Sequence, residues 1–257
     1  MVTLKVGKHT VEVYDAIDEL PIVRFQKYQK LLLIDAGVGG DINAFDQRLE
    51  RAGRFLAEGK LEQAQKELAN LRQNVFLIQN EISPQYRAFA VLVKSVDGKE
   101  CGDISDDGLQ RILELLKDAP VKDVTAPLDA VKKKIDSELR LYFPQVFADS
   151  RLKEYFDLMK ARTVALLEGI VRGDLKPEKD RKVERLTTQL ILFSNPGVFS
   201  GSESEEIKFD RNFEDVCLTL SEQLHVQPKN YTVLEFYNAF DFVQRRAKEA
   251  EKAKKRP

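Results

Sequence analysis

The chain has no tryptophan, two histidines and two cysteines, and each scarcity removes a class of chemistry. Cys101 and Cys217 are too few and too far apart for a disulfide framework, so packing must hold the fold and a reducing, cytoplasmic setting is expected. His9 and His225 have no cysteine or carboxylate at ligand spacing, whereas a zinc site needs three or four convergent ligands. No apolar run approaches the ~20 residues that span a bilayer, and Met1 to Thr10 lack the apolar core of a secretion signal. Charge of one sign is missing too. Lys and Arg number 41 against 42 Asp and Glu, a net charge of -1, so no global field draws nucleic acid or an anionic membrane.

Ligand-binding motifs are present only as fragments. Gly37-Val38-Gly39-Gly40 follows the apolar Leu31-Leu32-Leu33-Ile34, but a dinucleotide loop needs a third glycine where Ile42 stands. A phosphate-cradling loop would need Gly-Lys-Ser/Thr at the helix start, and the lysine is missing. Asp103, Asp106 and Asp107 resemble part of a calcium loop without its closing glutamate; acidic residues at a helix N-terminus are the simpler reading. No catalytic residue, cofactor or metal ligand is assigned, and the chain reads as a non-enzyme.

What the chain does have is apolar residues at helical spacing. Hydrophobic residues are 43% of the sequence and charged residues 32%, a composition that folds rather than stays disordered. Ile42, Phe45, Leu49, Ala52 and Leu56 recur at steps of three and four. After Glu58-Gly59-Lys60 the rhythm restarts as Leu61, Ala64, Leu68, Leu71, Val75, Ile78 and Ile82. Two such stripes joined by a glycine-containing turn predict an antiparallel helical hairpin between Asp41, a good N-cap, and Ile82, with both stripes buried. Leu68 and Leu71 are read as core alike.

Elsewhere the fold class reads as mostly α, with a small β-hairpin at the N-terminus. Val2, Leu4, Val6, Val11 and Val13 alternate with polar residues around Gly7-Lys8. A helix follows Pro21, with Ile22, Phe25, Tyr28 and Leu32 inward. Residues 89–102 fit either a buried helix or a second hairpin turning at Asp97-Gly98, and the β-branched content favours a strand over Val91 to Val96. Ser105 caps a helix burying Leu109, Ile112, Leu113 and Leu116, and Pro120 and Pro127 bracket a linker. Leu128, Val131, Ile135, Leu139 and Tyr142 mark the next helix. From about Ser150 to Arg172 a longer one is expected to turn Leu152, Tyr155, Phe156, Met159, Leu166 and Ile170 inward, and Val183, Leu186, Leu190 and Phe193 belong to another.

Three regions result: a helical body over 1–194, a flexible loop over 195–206, and a C-terminal helical hairpin with a basic tail over 207–257. In the last, Thr232 and Glu235 have capping-box spacing, with Tyr231 and Phe236 at the staple positions. Phe236, Tyr237, Phe240 and Phe242 are the candidate protein-contact residues, because aromatics bury large area at low entropy cost. Phe242 falls off the stripe, and two readings stay open for it: exposed for a partner, or packed under a neighbouring loop. Arg245 to Arg256 is basic but has no interleaved aromatics for stacking on single strands, so it reads as a solvated helix end.

Leu20-Pro21-Ile22-Val23-Arg24-Phe25, Leu33 to Ile42 and Val93-Lys94-Ser95-Val96-Asp97-Gly98-Lys99 resemble segments of an uncharacterised family from tailed bacteriophages and prophages of Bacteroides-type hosts. The opening hairpin, the Asp97-Gly98 turn before an acidic-capped helix, and the Thr232 to Tyr237 helix start are similar in style to phage tail-assembly chaperones. The resemblance implies a non-enzymatic assembly protein of the host cytoplasm that contacts tail components. A structural protein of the virion is the alternative, and a nucleic-acid-binding accessory protein a more distant one.

Overall fold

The computed structural model describes residues 1–120, 122–144, 150–193 and 195–254. Strands β1 (Val2–Val6) and β2 (His9–Val13) come first, followed by helices α1 (Ile22–Gly37), α2 (Ile42–Ala57), α3 (Leu61–Gln79) and α4 (Pro84–Leu92). Strands β3 (Val93–Val96) and β4 (Lys99–Glu100) lead to α5 (Asp106–Leu116), α6 (Lys122–Tyr142) and α7 (Ser150–Val171). The chain continues through α8 (Arg181–Phe193) and α9 (Glu205–Leu224) to α10 (Val233–Lys254). The fold is mostly α, as the periodicities require.

The strands form one antiparallel sheet in the order β1-β2-β3-β4, so the two sequence-local hairpins join across four intervening helices. Asp97 and Gly98 take φ 50° and 78°, the positive values that a tight primed turn demands and that Asp-Gly tolerates. Residues 89–102 are part helix and part hairpin. Ser83 accepts from the Tyr86 amide and Pro84 sits in the first turn, so α4 starts firmly and carries Val91 and Leu92, which the β-branched content had placed in the strand. The Asp97 side chain then closes the sheet: it accepts from the Thr10 amide at 2.9 Å and meets His9 Nδ1 at 2.6 Å.

One core holds the sheet and most helices. Val11, Val13, Phe25, Tyr28, Phe89, Leu109, Ile135 and Leu220 are among its buried members. Arg24 crosses it at 6% exposure, with no carboxylate partner among the described residues. Its guanidinium donates to the carbonyls of Val91 at 2.7 Å and Val93 at 3.0 Å, and to that of Cys101. It also lies 5.5 Å over the Tyr14 ring. One planar donor fork thus ties the end of α4, the start of β3 and the chain after β4. Burial lowers its pKa from the usual arginine value.

The linker expected between Pro120 and Pro127 is instead the first turns of α6, which takes Pro127 inside it and buries Val124. Pro127 is the sixth residue of the helix, past the first turn, so α6 forgoes the bond its amide would make to the Asp123 carbonyl. His225 ends α9 in the left-handed region at φ 55°, its amide bonded to the Ser221 carbonyl.

Residues 207–254 share the main core through Cys217, Leu220, Val233 and Phe236. The capping box forms: Glu235 accepts from the Thr232 amide at 2.8 Å, and Thr232 Oγ1 accepts from the Glu235 amide at 3.3 Å. The same helix start is bonded to the head of the chain, with Ile22 N donating to the Tyr231 carbonyl and Val233 N to that of Leu20, each at 2.9 Å. Segment 195–206, read from sequence as a flexible boundary, is a loop over 195–204 that runs into the first turn of α9, and it is anchored on α3, where Asn70 donates to the Gly197 carbonyl at 2.8 Å and accepts from Phe199 N at 3.2 Å. Arg245, Arg246, Lys248 and Lys252 of the basic tail are exposed on α10; Lys255 and Arg256 lie outside the described residues.

Three outcomes follow for stability. Arg24→Met, which strands three buried carbonyls, should cost about 3 kcal/mol in chemical denaturation. Deleting 247–257 should leave thermal unfolding nearly unchanged, because the described side chains there touch no core. The Asp97 carboxyl is held below its ordinary pKa, first by its bond to His9 and then by the Thr10 amide. A depressed folded pKa stabilises above the unfolded value, ~3.9, and that contribution fades as pH falls through the folded one. Asp97→Asn should therefore flatten the acid limb of a stability–pH profile below about pH 4.

Candidate contact surfaces

The α2–α3 hairpin forms where the sequence places it, with Asp41 capping α2 by accepting from the Ala44 amide at 2.8 Å. Its apolar stripes are not buried as expected. Alternating steps of three and four define a heptad, and the two apolar positions of that heptad part company. Ala52, Ala64 and Leu71 lie in the seam between the helices at 2%, 1% and 7% exposure, while Ile78, one heptad further on in the same position, is 37% exposed at the end of the hairpin. Ile42, Leu49, Leu56, Leu61, Leu68 and Val75 remain 64%, 52%, 51%, 63%, 47% and 36% exposed. Leu68 is therefore a surface residue and Leu71 a core residue.

Polar side chains take the inward flank. Arg48, Glu67, Asn70 and Asn74 are all buried, and Glu67 and Asn74 are fully so. Arg48 Nη1 reaches Glu67 Oε2 at 3.3 Å, and Arg51 Nε lies 3.1 Å from its Oε1. Arg48 also donates to the Ala36 carbonyl. Asn74 donates to the carbonyls of Val38 at 3.2 Å and Asp41 at 3.3 Å. The physical reason for the inversion is visible in these partners. The end of α1 and the 197–199 segment present unpaired backbone groups, and only polar side chains satisfy them. In sequence, Glu67, Asn70 and Asn74 at helical spacing look like a solvated face, so nothing flagged them.

A second hairpin repeats the pattern. The side chains of Leu152 and Phe156 lie outside the described residues, but Met159 and Ile170, expected inward, are 39% and 58% exposed. Small residues make the inward contacts of α7: Ala165 is 3% exposed, and a Cβ on Gly169 would sit 2.8 Å from Pro177. The large side chains of Val164, Leu167 and Val171 are turned out as a result.

The sequence-predicted aromatics fare differently from one another. Phe236 is 5% exposed and packs on Phe213 and Tyr237, with ring centroids 5.7 Å apart in each pair. Tyr237 is half-buried between Phe25 and Phe143, and burial pushes its hydroxyl up to about 12. Phe240 packs against the core cluster. Phe242 alone of the four is exposed, at 41%, with the Arg246 guanidinium 5.0 Å over its ring. These residues line the core more than they form a surface.

An open cavity of ≈ 680 Å³ lies beside the buried ion pairs, lined by Leu33, Arg48, Arg51, Lys66, Asn70 and Phe199 among others. Its charges are answered within the chain: Lys66 by Glu62 at 2.7 Å, Lys208 by Glu205 at 3.1 Å, and both arginines by Glu67. Among the described residues no three histidines, cysteines or carboxylates gather as a metal site, and no helix is long and apolar enough to cross a membrane. No protein-family model, curated protein or solved structure matches the chain.

Two substitutions separate the inner and outer sides of the hairpin. Glu67→Gln leaves two arginines without their buried counter-charge and should cost about 3–5 kcal/mol of unfolding free energy by urea titration. Leu71→Ala should cost about 2–4 kcal/mol by loss of packing in the seam. A cost below ~0.5 kcal/mol for either would mean that the seam is not the closed side.

Proposed function

We propose that this chain is a non-enzymatic assembly protein of a tailed phage, working in the host cytoplasm as a tail-assembly chaperone does. The observation that carries this reading is the row of large aliphatic side chains held open on well-formed helices, across α2–α3 and again on α7. Contiguous exposed apolar surface of this kind is rare on a protein that works alone, and its usual use is contact with another protein. The local likeness of the 20–25, 33–42 and 93–99 segments to phage proteins supplies the biological setting. Titratable groups do not argue for chemistry either: the two cysteine thiols are raised by burial, away from the reactive thiolate range.

Co-expression tests this directly. The chain, produced together with the tail tube and tape-measure proteins of its own phage, should raise their soluble fraction several-fold and be absent from finished particles by mass spectrometry. Stoichiometric presence in the particles would make it a virion component instead, and an unchanged soluble fraction would remove the chaperone reading.

A further inference from the structure

We infer that the open row on α2 and α3 is one half of a four-helix bundle, completed by the same hairpin of a second copy of this chain. The inference rests on the reading of the protein as a contact body, and it names the occupant of that surface. Arg48 and Arg51 facing Glu67 fix the direction of the seam between the two helices. At about 100° per residue, Leu49 and Leu68 each lie roughly a quarter turn further round than Arg48 and Glu67. Because the helices are antiparallel, equal rotations bring both rows to the same side of the hairpin. Leu56 stands level with Leu61, Leu49 with Leu68, and Ile42 with Val75. The result is three apolar rungs about 10.5 Å apart.

A hairpin with one heptad position closed in its seam and the other open is what remains when a four-helix bundle is cut in half. The surface matching three evenly spaced rungs on two antiparallel helices is another such surface, and the chain itself supplies one. A two-fold axis parallel to the helices lays α2 of one copy against α3 of the other, antiparallel and rung on rung. That arrangement makes a charge test possible. Asp46 and Arg72 lie at the same level on the two outer edges of the row, both exposed, and neither has an ion-pair partner among the described residues. The two-fold sets Asp46 of each copy opposite Arg72 of the other.

Two further observations agree. Gly53 sits inside α2 with open space around the Cβ it lacks. In an isolated hairpin a mid-helix glycine only weakens the helix, whereas against a facing helix it permits close approach of the backbones. Six aliphatic side chains of roughly 150–200 Å² each, about half open, offer on the order of 500 Å². That is the greater part of the ~800 Å² that each partner commonly contributes to a stable complex.

Sedimentation velocity on the full chain decides it. Wild type should be dimeric at micromolar concentration, and Leu49→Glu/Leu68→Glu should be monomeric with an unchanged far-UV spectrum. Asp46→Arg should weaken the dimer about tenfold. Asp46→Arg/Arg72→Asp should restore it, since the swapped charges meet again only between copies. A wild type that stays monomeric at several hundred micromolar overturns the inference, as does a dimer indifferent to Leu49→Glu/Leu68→Glu or to Asp46→Arg. Failure here is separable from failure of the assembly reading. A monomer that still solubilises tail proteins overturns only the dimer, and a dimer without that effect overturns only the chaperone role.

Discussion

A fully buried carboxylate decides which way the second and third helices face. Glu67 has no access to solvent, and its charge is tolerable only because Arg48 and Arg51 reach it from the neighbouring helix. Turning either helix by a quarter turn to bury its leucines would carry Glu67 out and pull the arginines off the α1 terminus. Removing one member of a buried ion pair typically costs about 3–5 kcal/mol, and turning α3 would also break the bonds of Asn70 and Asn74, together more than the roughly 2–4 kcal/mol that three half-covered aliphatic side chains gain. The hairpin is therefore locked with its polar flank inward. The exposed aliphatic row is a consequence of that lock.

The main core is organised by a different device. Arg24 satisfies three carbonyls at the junction of α4, β3 and the chain after β4, in a place no water bridges as well as a guanidinium. It lets a sheet assembled from two distant hairpins sit on α1. The C-terminal helices are bonded to the head of the chain at Leu20, Ile22 and Ile17, so the first and last parts of the described fold share one core. Exposed aliphatic side chains are thereby concentrated on the two hairpins that contribute least to this core, α2–α3 and α7–α8.

Local signals were legible wherever a residue acts on its own neighbours. Asp41, Ser105 and the Thr232–Glu235 box cap the helices their spacing announces, and Asp97-Gly98 makes its turn. Periodicity also found both helices of the central hairpin. It failed on what covers them, because steps of three and four locate an apolar face without saying whether the cover belongs to the same chain. Arg48, Glu67 and Asn74 are the residues that answer that question, and each answers through a partner the sequence does not place beside it. The same limit explains the aromatic set on α10: Phe236 and Tyr237 find Phe213, Phe25 and Phe143 within the fold, and only Phe242 is left outside.

The open row also bounds how strongly two copies hold together. On the order of 500 Å² of aliphatic surface per copy, at about 25 cal/mol per Å², is worth roughly 25 kcal/mol for the two faces together before association costs. Losing independent motion takes back an estimated 4–15 kcal/mol, and ordering the long edge side chains takes more. What survives these costs is an association of about micromolar strength, roughly 8 kcal/mol, sensitive to concentration and to its borders. Charges at the rim then matter out of proportion to their intrinsic strength, because each tenfold change in affinity needs only about 1.4 kcal/mol. A pair such as Asp46 and Arg72 fixes register and orientation between copies. A face of that strength releases its second copy when a better-matched surface arrives, because only the difference between the two affinities decides which occupant stays.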